Sequence, residues 1–196
     1  MTSRDLPPEP ASLLVEYADL FISSPLPGPI LDLACGDGRN GVMLAAKGLS
    51  VICCDRSRES LDAARELSAK SGATIIPWLA DLELPSQNPL PPDTYGGILV
   101  FRYLHRPLIP SIRKALRGNG ILLYETFTTE QPRYGKPHNP DFLLKPGELK
   151  EWFEDWQIIH HFEGVKESPP RAIAQIVCRK PLRARLAIHL PGACLP

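Results

Sequence analysis

Residues 30–41 read Ile30-Leu31-Asp32-Leu33-Ala34-Cys35-Gly36-Asp37-Gly38-Arg39-Asn40-Gly41. The apolar run to Ala34 makes a short buried strand, and residues 36–41 satisfy G-x-G-x-x-G at the opening of a helix. Glycines there let a ligand approach the backbone, and the helix N-terminus offers free amides, an arrangement that suits a nucleotide. The pattern alone does not name the nucleotide, and a ligand-free strand-to-helix turn satisfies it too.

On either side of this turn strands and helices alternate. Residues 11–22 carry Leu13, Leu14, Tyr17, Ala18 and Phe21 at helical spacing, and 40–47 predict a helix stopped by Gly48. Residues 50–54 form a second strand ending at Asp55. Ser57 caps the next helix, whose Leu61, Ala64 and Leu67 share a face. Strands at 73–78, 97–101 and 121–125 follow, with a helix at 107–117 between the last two. The alternation predicts a parallel sheet with helices on both faces. After a helix at 146–155, strands at 157–162 and 172–178 read as a hairpin, so the last strand enters the sheet antiparallel.

The chain has 196 residues, with Lys+Arg and Asp+Glu both 22. Neutral net charge argues against coating nucleic acid or an anionic membrane by bulk charge. The 22 prolines leave 30–76 free and bracket that stretch with loops. Cys35, Cys53, Cys54, Cys178 and Cys194 form no C-x-x-C pair and no zinc spacing. His138 and the pair His160-His161 make no metal site by spacing, the pair pointing to opposite faces of a strand. The N-terminus has no apolar leader, and no stretch is long enough to span a membrane. The expectation is a reduced, cytoplasmic protein. Residues 1–180 read as one domain with 1–28 a helical lead-in, and 181–196 as a tail without a readable role.

Three carboxylates sharpen the ligand. Asp55, about 20 residues beyond the glycines, is placed to accept from ribose hydroxyls. Asp81 follows the third strand, within reach of an adenine amino group. Asp32 precedes the first glycine by four residues, where it would repel a pyrophosphate and attract an ammonium or sulfonium cation. That choice favours S-adenosylmethionine over a dinucleotide. Asp37 reads equally well as a plain turn residue.

The stretch Asp32-Leu33-Ala34-Cys35-Gly36-Asp37-Gly38-Arg39-Asn40-Gly41 resembles the first motif of class I S-adenosylmethionine-dependent methyltransferases. Asp55 is similar to their second-strand acid and Ala80-Asp81-Leu82 to their adenine-edge motif. Within them, Asp-Leu-Ala-Cys-Gly-x-Gly-Arg-Asn resembles the group that includes tellurite-resistance methyltransferases. The resemblance implies a Rossmann-like α/β fold with a seven-stranded, mostly parallel sheet and an antiparallel terminal hairpin. It implies S-adenosyl-L-methionine as cofactor and a contact set of Asp32, Ala34, Cys35, Gly36, Asp37, Gly38, Arg39, Asn40, Asp55, Arg56, Ala80, Asp81, Leu82 and Phe101. Two departures stand out. Gly96-Gly97 replaces an acid before the fourth strand, and Gly118-Asn119-Gly120 replaces the usual turn before the fifth. Both are expected to alter turns, with Gly96 weakening the entry to the fourth strand.

Methyl transfer needs alignment and exclusion of water, with an optional base. Arg102, Tyr103 and His105 follow the fourth strand, where an acceptor would meet the methyl group. His105 also reads as a helix-start residue before Pro107, and Arg102 as the holder of an anion or the cap of a buried carboxylate. Glu125, in an apolar strand, needs a partner if buried. Residues 128–145 are long for a loop and carry Tyr134 and Lys136, which predicts a lid or acceptor-binding loop rather than a connector. The expected partner is a small-molecule acceptor, with RNA the lesser alternative. Two other readings are a silent cofactor-binding protein that docks to a partner, and a nicotinamide-dependent oxidoreductase. Asp32 and the terminal hairpin count against the last.

Overall fold

A computed structural model describes residues 8–23, 25–84 and 90–182 of the chain. The readings of the extreme N-terminus and of the tail from 183 onward fall outside them.

Seven strands form one sheet in the order β3-β2-β1-β4-β5-β7-β6. They are β1 (Ile30–Leu33), β2 (Val51–Asp55), β3 (Ile76–Leu79), β4 (Tyr95–Phe101), β5 (Leu116–Phe127), β6 (Gln157–Glu167) and β7 (Pro170–Arg179). The first five run parallel, and β7 lies antiparallel between β5 and β6. This is the mostly parallel α/β sheet with a reversed terminal hairpin that the sequence predicts. The strand order reverses between β1 and β4, so a crevice opens beyond their carboxyl ends.

Alternation along each strand feeds two apolar layers. On one face α1 (Ser12–Tyr17), α2 (Asp19–Ile22), α3 (Arg39–Ala45) and α4 (Arg58–Lys70) bury Leu13, Phe21, Val42, Leu44, Leu61 and Ala64 against Ile30, Val51, Leu99 and Leu123. On the other, α5 (Ile109–Ala115) and α6 (Glu148–Glu151) set Ile109, Ile112 and Leu149 against Leu31, Ile98, Leu122 and Tyr124. The Ser57 hydroxyl accepts from the Ser60 amide at 3.1 Å, the cap expected for α4.

Several elements differ from the sequence expectation. The 11–22 helix is two helices, because Phe21 donates to Ala18 in a tight three-residue step. The 107–117 helix is a 3-10 turn, Arg106–Leu108, followed by α5. It stops at Ala115 because Leu116 turns extended and pairs with Tyr95, so Arg117 belongs to β5. Only Glu148–Glu151 of 146–155 is α-helical, and the third strand is shifted to Ile76–Leu79.

Both glycine departures lie inside strands rather than in turns. A Cβ on Gly96 would sit 2.5 Å from the Gly28 carbonyl oxygen, so the glycine permits a close backbone crossing there. The Gly96 amide donates to Pro29 at 2.8 Å, which anchors the entry to β4 instead of weakening it.

Candidate cofactor and acceptor site

Beyond β1 the chain turns sharply through left-handed backbone at Ala34, Gly36 and Gly38, with φ of 54°, 55° and 74°. At Gly36 a Cβ would meet nothing within 4 Å, so the turn presents bare backbone to open space. Gly38 answers a different demand: a Cβ there would lie 2.5 Å from that of Ala64, so it lets α3 pack on α4.

Asp55, the last residue of β2, fixes this turn. Its Oδ2 accepts from the Gly36 amide at 2.9 Å, and its Oδ1 accepts from Ser57 at 2.9 Å. Each oxygen keeps a second lone pair for a ligand hydroxyl. The side chain expected only to receive ribose therefore also holds the glycine turn in place.

Asp32 is 1% exposed, and its Oδ2 accepts from the Gly41 amide at 2.8 Å. Burial pushes its carboxyl up to about 7; the Gly41 hydrogen bond and Arg39 oppose the rise, while Asp37 and Asp55 add to it. Its first duty is thus to brace α3.

Two adjoining cavities open at the strand ends. The larger, of about 430 Å³, is lined by Ala34, Asp55, Arg56, Ala80, Asp81, Leu82 and Glu83. Arg102, Tyr103, Leu104, Phe127, Lys136, Pro137 and Phe142, from the ends of β4 and β5 and the chain beyond them, complete the lining. The smaller, of about 310 Å³, is lined by Asp32, Ala34, Cys35, Gly36, Asp37, Arg39, Asn40, Phe101 and Arg102. Every residue of the expected contact set except Gly38 lines one of them. Ala34 and Arg102 line both and mark the junction.

The acceptor-side candidates separate. Arg102 is exposed, with φ 54°, and its guanidinium makes no hydrogen bond or ion pair among the described residues. It therefore caps no carboxylate. Tyr103 reaches the larger cavity; burial pushes its phenol up, and its hydroxyl is buried without a hydrogen-bond partner among the described residues. His105 lines neither cavity. Its carbonyl accepts from Leu108 at 3.0 Å at the head of the 3-10 turn, the position the helix-start reading expects. Glu125 is 4% exposed, and its Oε2 accepts from the Gln175 amide, whose Oε1 lies 3.3 Å from His160 Nε2. The partner it needed is an amide rather than a cation. Among the described residues no group of three or more His, Cys, Asp and Glu could hold a metal ion.

Residues 128–145 fold onto the larger cavity. Buried Gln131 donates to the Lys136 carbonyl at 3.0 Å and accepts from the Ala172 amide at 2.9 Å. Arg106 grips the far end, donating to the carbonyls of Asp141 and Leu143 and pairing with Glu148 through Nε and Nη2 at 2.7 and 2.8 Å. Lys136 reaches the cavity as expected, but Tyr134 is 42% exposed and lines neither space. Sequence reasoning missed Glu83, Leu104, Phe127, Pro137 and Phe142. Leu104 and Phe127 lie at the carboxyl ends of β4 and β5, and that placement was the signal available for them.

The family model described as "Tellurite resistance protein TehB" matches residues 19–169. The chain belongs to the TehB family. A TehB of Haemophilus influenzae, named "Probable S-adenosyl-L-methionine-dependent methyltransferase TehB", is 28% identical over 149 residues, covering 72% of this chain and 50% of that protein. The chain thus spans about half the length of the curated TehB relatives it matches. The crystal structure of H. influenzae TehB superposes with a TM-score of 0.67 at 24% identity, over 85% of this chain and 61% of that one. A structure described as a SAM-dependent methyltransferase, from Methanosarcina mazei, gives 0.64 at 16% identity, over 89% of this chain and all of that one. These superpositions show that the TehB-family chain has the Rossmann-like fold of such methyltransferases.

Proposed function

We propose that the protein is an S-adenosylmethionine-dependent methyltransferase acting on a small-molecule acceptor. The observation that carries this is the Gly36 turn held by Asp55, with both cavities meeting at the junction of β1 and β4. The residues fit the cofactor. Gly36 leaves open backbone, Asp55 offers lone pairs to a ribose, and Asp81 stands on the same wall for an adenine edge. Asp32 supplies a carboxylate to the smaller cavity, where an ammonium group would sit.

When bound, S-adenosylmethionine supplies a methyl group already activated for in-line displacement. The chain's own task is alignment and dryness. Arg102 stands at the junction of the two cavities, where acceptor and methyl carbon would meet. Tyr103, Leu104, Phe127 and Phe142 form a largely apolar wall that an acceptor would cover. No histidine among the described residues lines that wall, so the reading assigns no general base and relies on an acceptor that is nucleophilic as bound.

Residues 1–180 are taken as a single methyltransferase domain. A reducing, cytoplasmic setting agrees with the free, buried Cys35, Cys53, Cys54 and Cys178. No helix among the described residues is long and apolar enough to cross a membrane.

The test is mass spectrometry of a cell extract incubated with the protein and methyl-labelled cofactor. Label appearing in a small molecule, dependent on Asp55, supports the reading. Binding of the cofactor with no labelled product in any extract fraction would favour the non-catalytic alternative.

A further inference from the structure

Resting on that reading, we infer that the acceptor is a small molecule with an apolar body and one anionic group. The nucleoside side of the larger cavity takes Asp55, Ala80, Asp81 and Leu82, leaving the opposite wall for the acceptor. That wall is made of Leu104, Phe127, Pro137 and Phe142, together with Lys136 and with Arg102, which also lines the adjoining cavity. Phe142 is 48% exposed at this mouth, an aromatic face left for a ligand to cover.

The charges divide in the same way. The acids of the cavity lie on the nucleoside side and are engaged: Asp81 accepts from the Glu83 amide at 2.9 Å, Glu83 pairs with Arg56 at 3.7 Å, and Asp55 holds Gly36. On the acceptor side, neither Lys136 nor Arg102 makes a side-chain hydrogen bond or ion pair among the described residues. Gln131 fixes the Lys136 backbone through its carbonyl, so the cation is carried on an anchored segment.

A bare oxyanion would leave Leu104, Phe127 and Phe142 uncovered. A neutral apolar acceptor would make no use of the two cations. An aromatic or aliphatic acid uses both, its body on the phenylalanines and its anion toward Lys136.

The experiment uses the whole chain saturated with S-adenosylhomocysteine and titrated calorimetrically with 4-methylbenzoate, 4-methylbenzamide and acetate. 4-Methylbenzoate is expected to bind, the amide about 10-fold more weakly, and acetate without measurable heat. Lys136→Met should erase the difference between acid and amide while leaving affinity for S-adenosylhomocysteine unchanged. Equal binding of acid and amide, equal binding of acetate and 4-methylbenzoate, or no binding of any probe would overturn the inference. Failure of S-adenosylhomocysteine itself to bind would overturn the methyltransferase reading and this inference with it.

Discussion

The Gly36 amide donates to Asp55 Oδ2 at 2.9 Å, tying the tip of the glycine turn to the end of the neighbouring strand. On the proposed reading, one carboxylate shapes the backbone that would receive the cofactor and stands beside its ribose.

Replacing Asp55 should therefore cost more than a lost ribose contact. Asp55→Ala removes a charge-assisted bond to Gly36 as well as the ribose acceptor, and each such bond contributes ~1.5–3 kcal/mol. Affinity for S-adenosylhomocysteine should fall at least ~10- to 150-fold by calorimetry. Asp55→Asn, which keeps one acceptor oxygen, should fall between wild type and alanine. Wild-type affinity in both variants would place the nucleoside elsewhere.

Asp32 makes the site sensitive to pH. Its folded value of about 7 lies above the ordinary 3.8, so the folded protein holds this proton more tightly than the unfolded chain. The resulting stability is complete below about 4 and is lost as pH rises through about 7. A bound ammonium favours the ionised form, so affinity for S-adenosylhomocysteine should climb between pH 6 and 8, by at most about tenfold per unit. Asp32→Asn should bind more weakly and with a flatter profile. A wild-type profile that falls with pH would refute the placement of a cation beside Asp32.

Arg106 joins the 3-10 turn after β4 to the loop that covers the larger cavity. Arg106→Ala removes the Glu148 pair and two carbonyl contacts, one side chain of the pair being a third exposed. With that exposure discounting the ion pair, the loss should be ~1–3 kcal/mol, or about 2–10 °C in melting temperature. Trypsin should then cut first at Arg133, with S-adenosylhomocysteine affinity nearly unchanged. An unaltered digestion pattern would show that Gln131 alone holds the loop.

Gly96→Ala should destabilise the fold by ~1–3 kcal/mol, because its Cβ would meet the Gly28 carbonyl at 2.5 Å and backbone yields poorly. A melting temperature equal to wild type would mean that the crossing relaxes freely.

What could be read directly in the chain was local. The 36–41 turn, the Ser57 cap and Asp55 at its strand end each show in residues a few positions apart, and the terminal hairpin in two adjacent strand runs. What could not be read rests on distant partners. Leu116 leaves its helix because Tyr95 offers a strand to pair with, and Gly96 is required by Gly28, 68 positions earlier. The acceptor wall was partly legible, since Arg102, Tyr103 and Lys136 stood out as polar or aromatic residues in a loop. Phe142 did not, because only the folding of 128–145 brings it to the cavity, while Phe127 was marked by nothing except its place at the end of β5. His105 stood out by chemistry, and the structure places it at the head of the 3-10 turn.

The most direct test of the central claim is calorimetric titration of the purified protein with S-adenosylhomocysteine and, in parallel, with NADH. The account predicts saturable 1:1 binding of S-adenosylhomocysteine that weakens in Asp55→Ala, and no heat from NADH. Binding of NADH with none of S-adenosylhomocysteine would contradict it.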